Sequence, residues 1–217
     1  MRSSIVLRWA AVCAALVIAF VPVGAGAQDE EHPQGEAMAE EHPHGEMSAE
    51  EKAMMEAWQK AATPGPEHAM LAESAGRYKL TVKTWHQPGG EPDTSEGTAE
   101  RTMALGGRVL EEKVTSSMMG MPFEGIGRTG YDNVRKTYWS TWTDNMSTAL
   151  FVMNGTINED GSSTFQGEMV DPMTGGTMTM RIEGRMEGGK EILEFYHPAP
   201  GGEGEMKGME LVYEPAG

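Results

Sequence analysis

Cysteine is nearly absent from this chain, in which Cys13 is the only one among 217 residues. Basic residues are also scarce, because 17 lysines and arginines stand against 33 aspartates and glutamates, for a formal net charge of −16 at pH 7. Such a chain is a poor match for nucleic acid or an anionic membrane, since phosphate binding requires clustered lysine and arginine. We therefore expect no nucleic-acid partner.

The first 27 residues have the pattern of a secretory signal peptide. Arg2 and Arg8 accompany an apolar run, Trp9–Val23, and the sequence Ala-Gly-Ala at 25–27 is an A-x-A cleavage site. The run is shorter than the ~20 residues that a membrane-spanning helix needs. We predict cleavage after Ala27, export to the periplasm or the medium, and no membrane span afterwards. Cleavage removes Cys13 and with it any disulfide or thiol nucleophile.

Residues 28–50 form an acidic segment in which a Glu-His-Pro-x-Gly-Glu unit at 31–36 returns at 41–46. Because this segment has no aromatic residue and little to bury, we predict a disordered tail. A helical segment is predicted over 48–74, with a capping box formed by Ser48 and Glu51 and a break at Thr63–Pro66. We expect it to pack on one end of the following domain, through an apolar stripe of Met54, Met55, Trp58 and Ala61 and a short second turn over Glu67–Ser74.

From residue 75 to residue 217 the hydrophobic period changes to two. Tyr78, Leu80 and Val82 alternate with polar residues, which is typical of a half-buried strand. Turn residues then recur every 10–15 positions, and no stretch is long enough for the helix of a parallel crossover. This pattern predicts an all-β domain, an antiparallel up-and-down barrel of about ten strands. A sandwich is the alternative.

A Gly-x-Gly-x-x-Gly pattern lies at Gly125, Gly127 and Gly130. In a dinucleotide site such glycines precede a helix whose N-terminus holds the phosphates. Here turn residues follow, and Tyr138–Trp142 then has the pattern of another strand. We predict instead that the first two glycines share one strand face and allow bending or the close approach of another element.

Three segments resemble a bacterial family known only as domain of unknown function 1579: Pro64–His68, Met121–Met146, and Gly167–Met169 with Asp171–Gly175. The resemblance covers about Gly65 to Tyr213. It implies a calycin-like barrel, related in shape to the lipocalins, and no catalytic residues.

Small barrels are either filled by side chains or hold one small ligand, and the sequence leaves both readings open. We expect the candidate ligand, where there is one, to be a small, largely apolar molecule. The residues predicted to line the interior are Tyr78, Leu80, Val82, Phe123, Tyr131, Tyr138, Trp142, Met178 and Met180.

Copper handling is a further alternative, since thioethers suit Cu(I) and imidazoles suit Cu(II). The pairs Met119/Met121 and Met178/Met180 are each expected to project from one side of a strand. The tail adds His32, His42 and His44 as candidate metal ligands.

No group of residues predicts catalysis. Glu111 and Glu112 are adjacent in a strand and hence point to opposite faces, which excludes a facing acid–base pair. We expect a protein that is not an enzyme and that has no resident cofactor.

Overall fold

A computed structural model describes residues 47–171, 174–200 and 204–217. The predicted signal peptide and residues 28–46 of the predicted tail, with His32, His42 and His44, lie outside this range. Two helices, α1 (Ala49–Ala62) and α2 (Pro66–Glu73), precede ten strands. The strands are β1 (Gly76–Thr84), β2 (Asp93–Ala104), β3 (Val109–Met118), β4 (Met121–Asp132), β5 (Thr137–Asp144), β6 (Phe151–Ile157), β7 (Ser163–Val170), β8 (Thr177–Glu187), β9 (Lys190–Pro198) and β10 (Glu205–Pro215).

The ten strands form a closed antiparallel barrel. Each strand pairs with its neighbours in sequence, and β1 pairs with β10 to complete the cylinder. Leu80 lies between Gly97 of β2 and Tyr213 of β10 in this register. The predicted up-and-down barrel of about ten strands is confirmed, and the alternative of a sandwich is wrong.

Helix α2 packs on one end of the barrel. Its Leu71 is 3% exposed and contacts Leu110 at the start of β3 and Tyr138 at the start of β5. Pro66 begins the helix, where a missing N–H is tolerated, and the backbone N–H of Gly65 donates to Nδ1 of His68 at 3.1 Å. This is the α2 end. Because successive strands alternate in direction, the connections β1–β2, β3–β4, β5–β6, β7–β8 and β9–β10 form the other end, called the far end.

Helix α1 does not pack as predicted. The capping box is present, since Glu51 N–H donates to Oγ of Ser48 at 3.2 Å and Ser48 N–H to Oε2 of Glu51 at 2.8 Å. However, no residue of α1 is buried, and Met54 and Trp58 are 57% and 72% exposed. The prediction that the apolar stripe packs on the barrel is therefore wrong.

The reason lies in how α1 is attached to the barrel. Nδ2 of Asn133, in the β4–β5 turn, donates to the carbonyls of Ala61 at 3.0 Å and Thr63 at 2.8 Å. Nε of Arg108, in the β2–β3 turn, donates to the carbonyl of Ala62 at 3.0 Å. These two side chains satisfy the last carbonyls of the helix, which otherwise have no partner. They fix α1 by its C-terminal end and leave its apolar stripe uncovered.

The barrel core consists of two groups of apolar residues. The first lies at mid-height and includes Leu80, Val82, Ala99, Val114 and Tyr213. The second lies beneath α2 and consists of Leu71, Leu110 and Tyr138, with Met103, Tyr131, Ile157 and Phe165 packed against it.

Candidate functional site: the barrel interior

The glycines of β4 provide space for an aromatic ring. Gly127 pairs with Trp142 in the register, and the indole of Trp142 also covers Gly125. A Cβ atom at Gly125 would overlap the indole, and one at Gly127 would lie 3.1 Å from its Cε3. On the other face, Gly130 lies under Trp139 in the same way. The predicted close approach of another element to the first two glycines is confirmed, and no helix follows them.

A charged cluster that the sequence did not reveal lies inside the barrel near the α2 end. Arg101 of β2 is 6% exposed. Its Nε donates to Oε1 of Glu112 at 2.7 Å, and its Nη1 donates to Oε2 of Glu191 at 2.5 Å. The guanidinium also lies over the rings of Tyr213 and Tyr78, at 4.2 and 5.1 Å from the ring centroids. Glu111, next to Glu112, faces outward and pairs with Arg128, as the alternation predicts.

The cluster is electrostatically self-contained. Burial opposes the charge on Arg101, but the carboxylates of Glu112 and Glu191 outweigh it and hold the pKa of the guanidinium well above its ordinary value. Burial, together with Glu112, raises the pKa of the Tyr213 hydroxyl well above its usual range. Among the described residues, no buried side-chain nitrogen or oxygen lacks a hydrogen-bond partner. The guanidinium is therefore neutralised inside the protein and is a poor receptor for an anion.

Most side chains on the inward face at the far end are apolar and only half-buried, although Nε1 of Trp142 donates to Oδ2 of Asp144 at 2.9 Å. Phe123 and Trp142 stack with ring centroids 6.4 Å apart and an interplanar angle of 14°. Met169 pairs with Met178 across β7 and β8. These side chains are half-buried, as are Met118, Phe151, Met180, Phe195 and Met209 on the same face. Within the described residues, no helix packs on this end.

The nine residues predicted to line the interior do share the inward face, but they divide between the two ends. Tyr131 and Tyr138 lie beneath α2, with ring centroids 4.8 Å apart. Leu80, Val82 and Tyr78 belong to the mid-height core or pack against it. Phe123, Trp142, Met178 and Met180 lie toward the far end. The structure therefore places the predicted residues in one barrel without bringing them into one site.

The predicted methionine pairs differ from each other. Met178 and Met180 both lie on the inward face of β8, as expected. Met119 does not lie in a strand, because Met118 pairs with Met121 and leaves Met119 and Gly120 as a two-residue hairpin turn. Both turn residues have positive φ, 51° and 76°, as a type I′ turn requires. The prediction that Met119 and Met121 project from one side of a strand is wrong, and their side chains are 76% and 47% exposed.

Histidine and carboxylate side chains form no metal centre in the described part of the chain, where no group of three or more His, Cys, Asp or Glu is arranged to hold an ion. The three histidines within the described residues have different surroundings. His68 is buried in α2, His86 contacts Asp93 at 3.0 Å, and His197 lies in β9 with Nδ1 2.9 Å from the carbonyl of Pro198.

Outside the barrel, a groove of about 620 Å³ separates α1 from the β4–β5 turn. It is lined by Glu56, Gln59 and Lys60 of α1, residues 63–67, Asn133 and Lys136. The residues that α1 contributes to this groove are polar, so α1 presents its polar side to the turn. No helix among the described residues is both long and apolar enough to span a membrane.

Comparison with known proteins identifies the family of the chain. No curated protein matches the chain. The model of one family, described as protein of unknown function (DUF1579), matches residues 63–214, which include α2 and all but the last residue of β10. The match extends over more than half of the 217 residues and covers the complete circuit of strands. The chain therefore belongs to the DUF1579 family.

Proposed function

We propose that this protein is an exported binding domain rather than an enzyme, and that it holds a small, neutral, largely apolar molecule at the far end of the barrel. The observation that carries the proposal is the row of half-buried methionine and aromatic side chains on the inward face there. Apolar surface on a concave wall is typical of ligand sites. Methionine suits such a wall, because its flexible thioether adapts to differently shaped partners.

The distribution of packing supports the choice of end. Helix α2 buries Leu71 and His68 on the α2 end, and the mid-height core fills the barrel below it. A ligand would therefore reach the interior from the far end. Its floor would be the stacked rings of Phe123 and Trp142.

The expected chemistry of the ligand follows from the charges inside the barrel. Arg101 already has two carboxylate partners, so it offers no free charge to a ligand acid group. The mid-height core residues Leu80 and Tyr213 lie between it and the far end, and they are 2% and 1% exposed. A neutral apolar molecule is favoured over a carboxylate or phosphate for this reason.

Uptake of a neutral fluorescent probe, N-phenyl-1-naphthylamine, tests the proposal. Met169 and Val170 are neighbours in β7, half-buried and 63% exposed respectively, and they point to opposite faces. We expect the wild-type chain to enhance probe fluorescence with saturation, Met169→Glu to abolish it, and Val170→Glu to leave it unchanged. Unfolding in urea checks that both variants fold.

The contrary outcomes are equally specific. If the wild-type chain takes up no probe, and its native mass shows no retained organic molecule, the barrel is a filled structural or interaction domain. Equal uptake by Met169→Glu and the wild type would move the binding site away from the far end.

Export has its own test. The N-terminal pattern supports cleavage after Ala27, so the protein recovered from the periplasm or medium of expressing cells should begin at Gln28. Recovery of an uncleaved chain in the cytoplasm would contradict export without affecting the barrel site.

A further inference from the structure

Two stretches of the chain at the far end of the barrel contain no charged residue. Residues 116–123 include the β3–β4 turn, and residues 145–152 include the β5–β6 loop. Neither stretch holds an aspartate, glutamate, lysine or arginine, although 23% of the whole chain is charged, so their composition departs from that of the rest. Four large apolar side chains are exposed here, and we call them the far-end rim: Met119 (76%), Met121 (47%), Met146 (38%) and Leu150 (62%).

Hydrogen bonds of Asn145 hold the two stretches side by side. Its Nδ2 donates to the carbonyl of Pro122 at 3.0 Å, and its Oδ1 accepts from the backbone N–H of Glu124 at 3.0 Å. Its own backbone N–H donates to the carbonyl of Glu124, also at 3.0 Å. Because Pro122 follows Met121 and Met146 follows Asn145, the rim residues of the two stretches belong to one part of the surface.

The polar groups of the β5–β6 loop have partners within the protein. Oδ1 of Asp144 accepts from the backbone N–H groups of Met146 at 2.9 Å and Ser147 at 3.2 Å, and Oδ2 accepts from the indole of Trp142 at 2.9 Å. The N–H of Ala149 donates to Oγ of Ser147 at 3.3 Å. A polar group costs free energy in an apolar environment unless it is hydrogen-bonded. These bonds therefore lower the cost of moving the loop out of water.

From these observations we propose that the far-end rim docks the protein on a neutral lipid membrane, with the four side chains at the boundary between headgroups and acyl chains. Exposed apolar groups that lie together mark a protein or a membrane partner. The rim offers no charge with which a protein partner could be selected. The net charge of −16 opposes a second copy of the chain and anionic lipids alike, and a zwitterionic surface is the one that it leaves favourable.

Docking also names a source for the apolar ligand, and this step rests on the binding function proposed above. Met121 is on the same face of β4 as Phe123, whose ring forms the floor of the proposed ligand site. The rim therefore borders the entrance to that site. Apolar molecules leave water for a bilayer, so a barrel docked by its rim meets the ligand where it is concentrated.

The test places the environment-sensitive fluorophore NBD on a single cysteine of the full chain, in a Cys13→Ser background. Met119→Cys puts the label on the rim. Leu105→Cys is the matched control, because Leu105 lies in the β2–β3 turn at the α2 end, is 73% exposed and has a φ of 50°, against 76% and 51° for Met119. With phosphatidylcholine vesicles, we expect the emission of the rim label to shift to the blue and to be quenched by nitroxide-labelled lipid. The control label should do neither.

Two double variants separate the effect of position from that of charge. Met119→Glu/Leu150→Glu should lower the affinity for the vesicles at least about tenfold, because each large apolar side chain that leaves water contributes about that factor or more. Leu105→Glu/Val134→Glu adds the same two charges to turns at the α2 end, at residues that are 73% and 74% exposed, and should bind as the wild type does. Vesicle flotation measures the affinities, and urea unfolding checks that both variants fold.

Lipid composition provides a further comparison. Vesicles of equal parts phosphatidylcholine and phosphatidylglycerol should bind the wild-type chain more weakly than phosphatidylcholine vesicles at low salt, because both surfaces are then negative. Stronger binding to the anionic vesicles would contradict the choice of a neutral surface.

Several other results would overturn the proposal. The first is a rim label that does not respond to vesicles, and the second is an equal response of both labels. The third is loss of binding in Leu105→Glu/Val134→Glu but not in Met119→Glu/Leu150→Glu. Wild-type dimers that Met119→Glu/Leu150→Glu dissociates, together with no vesicle binding, would assign the rim to a second copy of the chain.

Uptake of N-phenyl-1-naphthylamine, measured without vesicles, keeps this proposal distinct from the binding function. Docking by a wild-type chain that takes up no probe would support the membrane surface and remove the apolar site. Probe uptake by a wild-type chain that does not dock would do the reverse.

Discussion

The indole of Trp142 in β5 lies so close to Gly125 in β4 that no side chain fits between them. The spacing of the glycines in β4 therefore reflects the width of an aromatic ring on the adjacent strand. Gly125 and Gly127 are covered by the same indole, and Gly130 is covered by Trp139 on the opposite face. The resemblance to a nucleotide motif is a by-product of this packing.

Gly125→Ala should destabilise the protein by about 1–3 kcal/mol, because overpacking forces neighbouring groups to shift. Gly127→Ala should cost less, since its Cβ would need to displace the indole by only a few tenths of an ångström. Urea unfolding measures both. In a Trp142→Leu background the cost of Gly125→Ala should fall, and purely additive effects would contradict the contact.

Removal of the buried guanidinium tests the charge cluster. Arg101→Met leaves the carboxylates of Glu112 and Glu191 without their partner, and we expect a loss of about 3–5 kcal/mol at neutral pH. The control is Arg77→Met, which removes an exposed pair with Glu100 on the neighbouring strand and should cost less than about 1 kcal/mol. Equal losses in the two variants would contradict a structural role for the cluster.

The carboxyl of Glu210, on the outer face, should make the stability of the protein depend on pH. It accepts from Nζ of Lys83 and of Lys207, both at 2.8 Å. Burial raises the pKa of this carboxyl, but Lys207 and Lys83 outweigh it and place the pKa below its ordinary value. The unfolded state therefore binds the proton first on acidification, and the stabilisation present above the unfolded pKa is lost as pH falls through the folded one.

Glu210→Gln should accordingly lower the free energy of unfolding by about 2 kcal/mol at pH 7, the contribution of hydrogen bonds to a charged group. The difference from the wild type should shrink below pH ~4. Glu100→Gln, in the exposed pair, is the control. A difference that stays constant down to pH 2 would exclude titration of Glu210 as its cause.

The two helices should differ in their contribution to stability. Leu71→Ala removes a buried side chain from beneath α2 and should cost about 2–5 kcal/mol. Trp58→Ala truncates a larger side chain that is 72% exposed and should change stability by less than about 0.5 kcal/mol. Thermal unfolding compares them, and a large loss in Trp58→Ala would show that α1 packs in solution.

Local patterns were sufficient to predict the barrel. Period-two alternation and regularly spaced turns give hairpins, and hairpins in series close only when the first and last strands meet. Gly120 indicated a turn, but Met119 was assigned to a strand, because a type I′ turn is usually marked by Asn-Gly or Gly-Gly and Met is a poor indicator of positive φ.

The charge cluster could not be predicted because it depends on the closed register. Glu112 is 11 residues from Arg101, but Glu191 is 90 residues away and becomes its neighbour only across β1 and β10. The one local indication was that Arg101 shares a strand face with buried Ala99. The exposure of α1 likewise depends on Asn133, 72 residues from the carbonyl of Ala61 that it binds.

The seam between β1 and β10 has a consequence for how the chain folds. Every other strand pair joins neighbours in sequence, whereas the ion pair of Lys83 and Glu210 across the seam spans 127 residues. Short hairpin loops close at little entropic cost, but the seam must close the longest loop in the domain. During synthesis β10 emerges after the other nine strands, so the growing chain is a sheet with two unpaired edges until β10 is available to pair with β1 and β9. Nascent or C-terminally truncated chains should therefore associate through these edges.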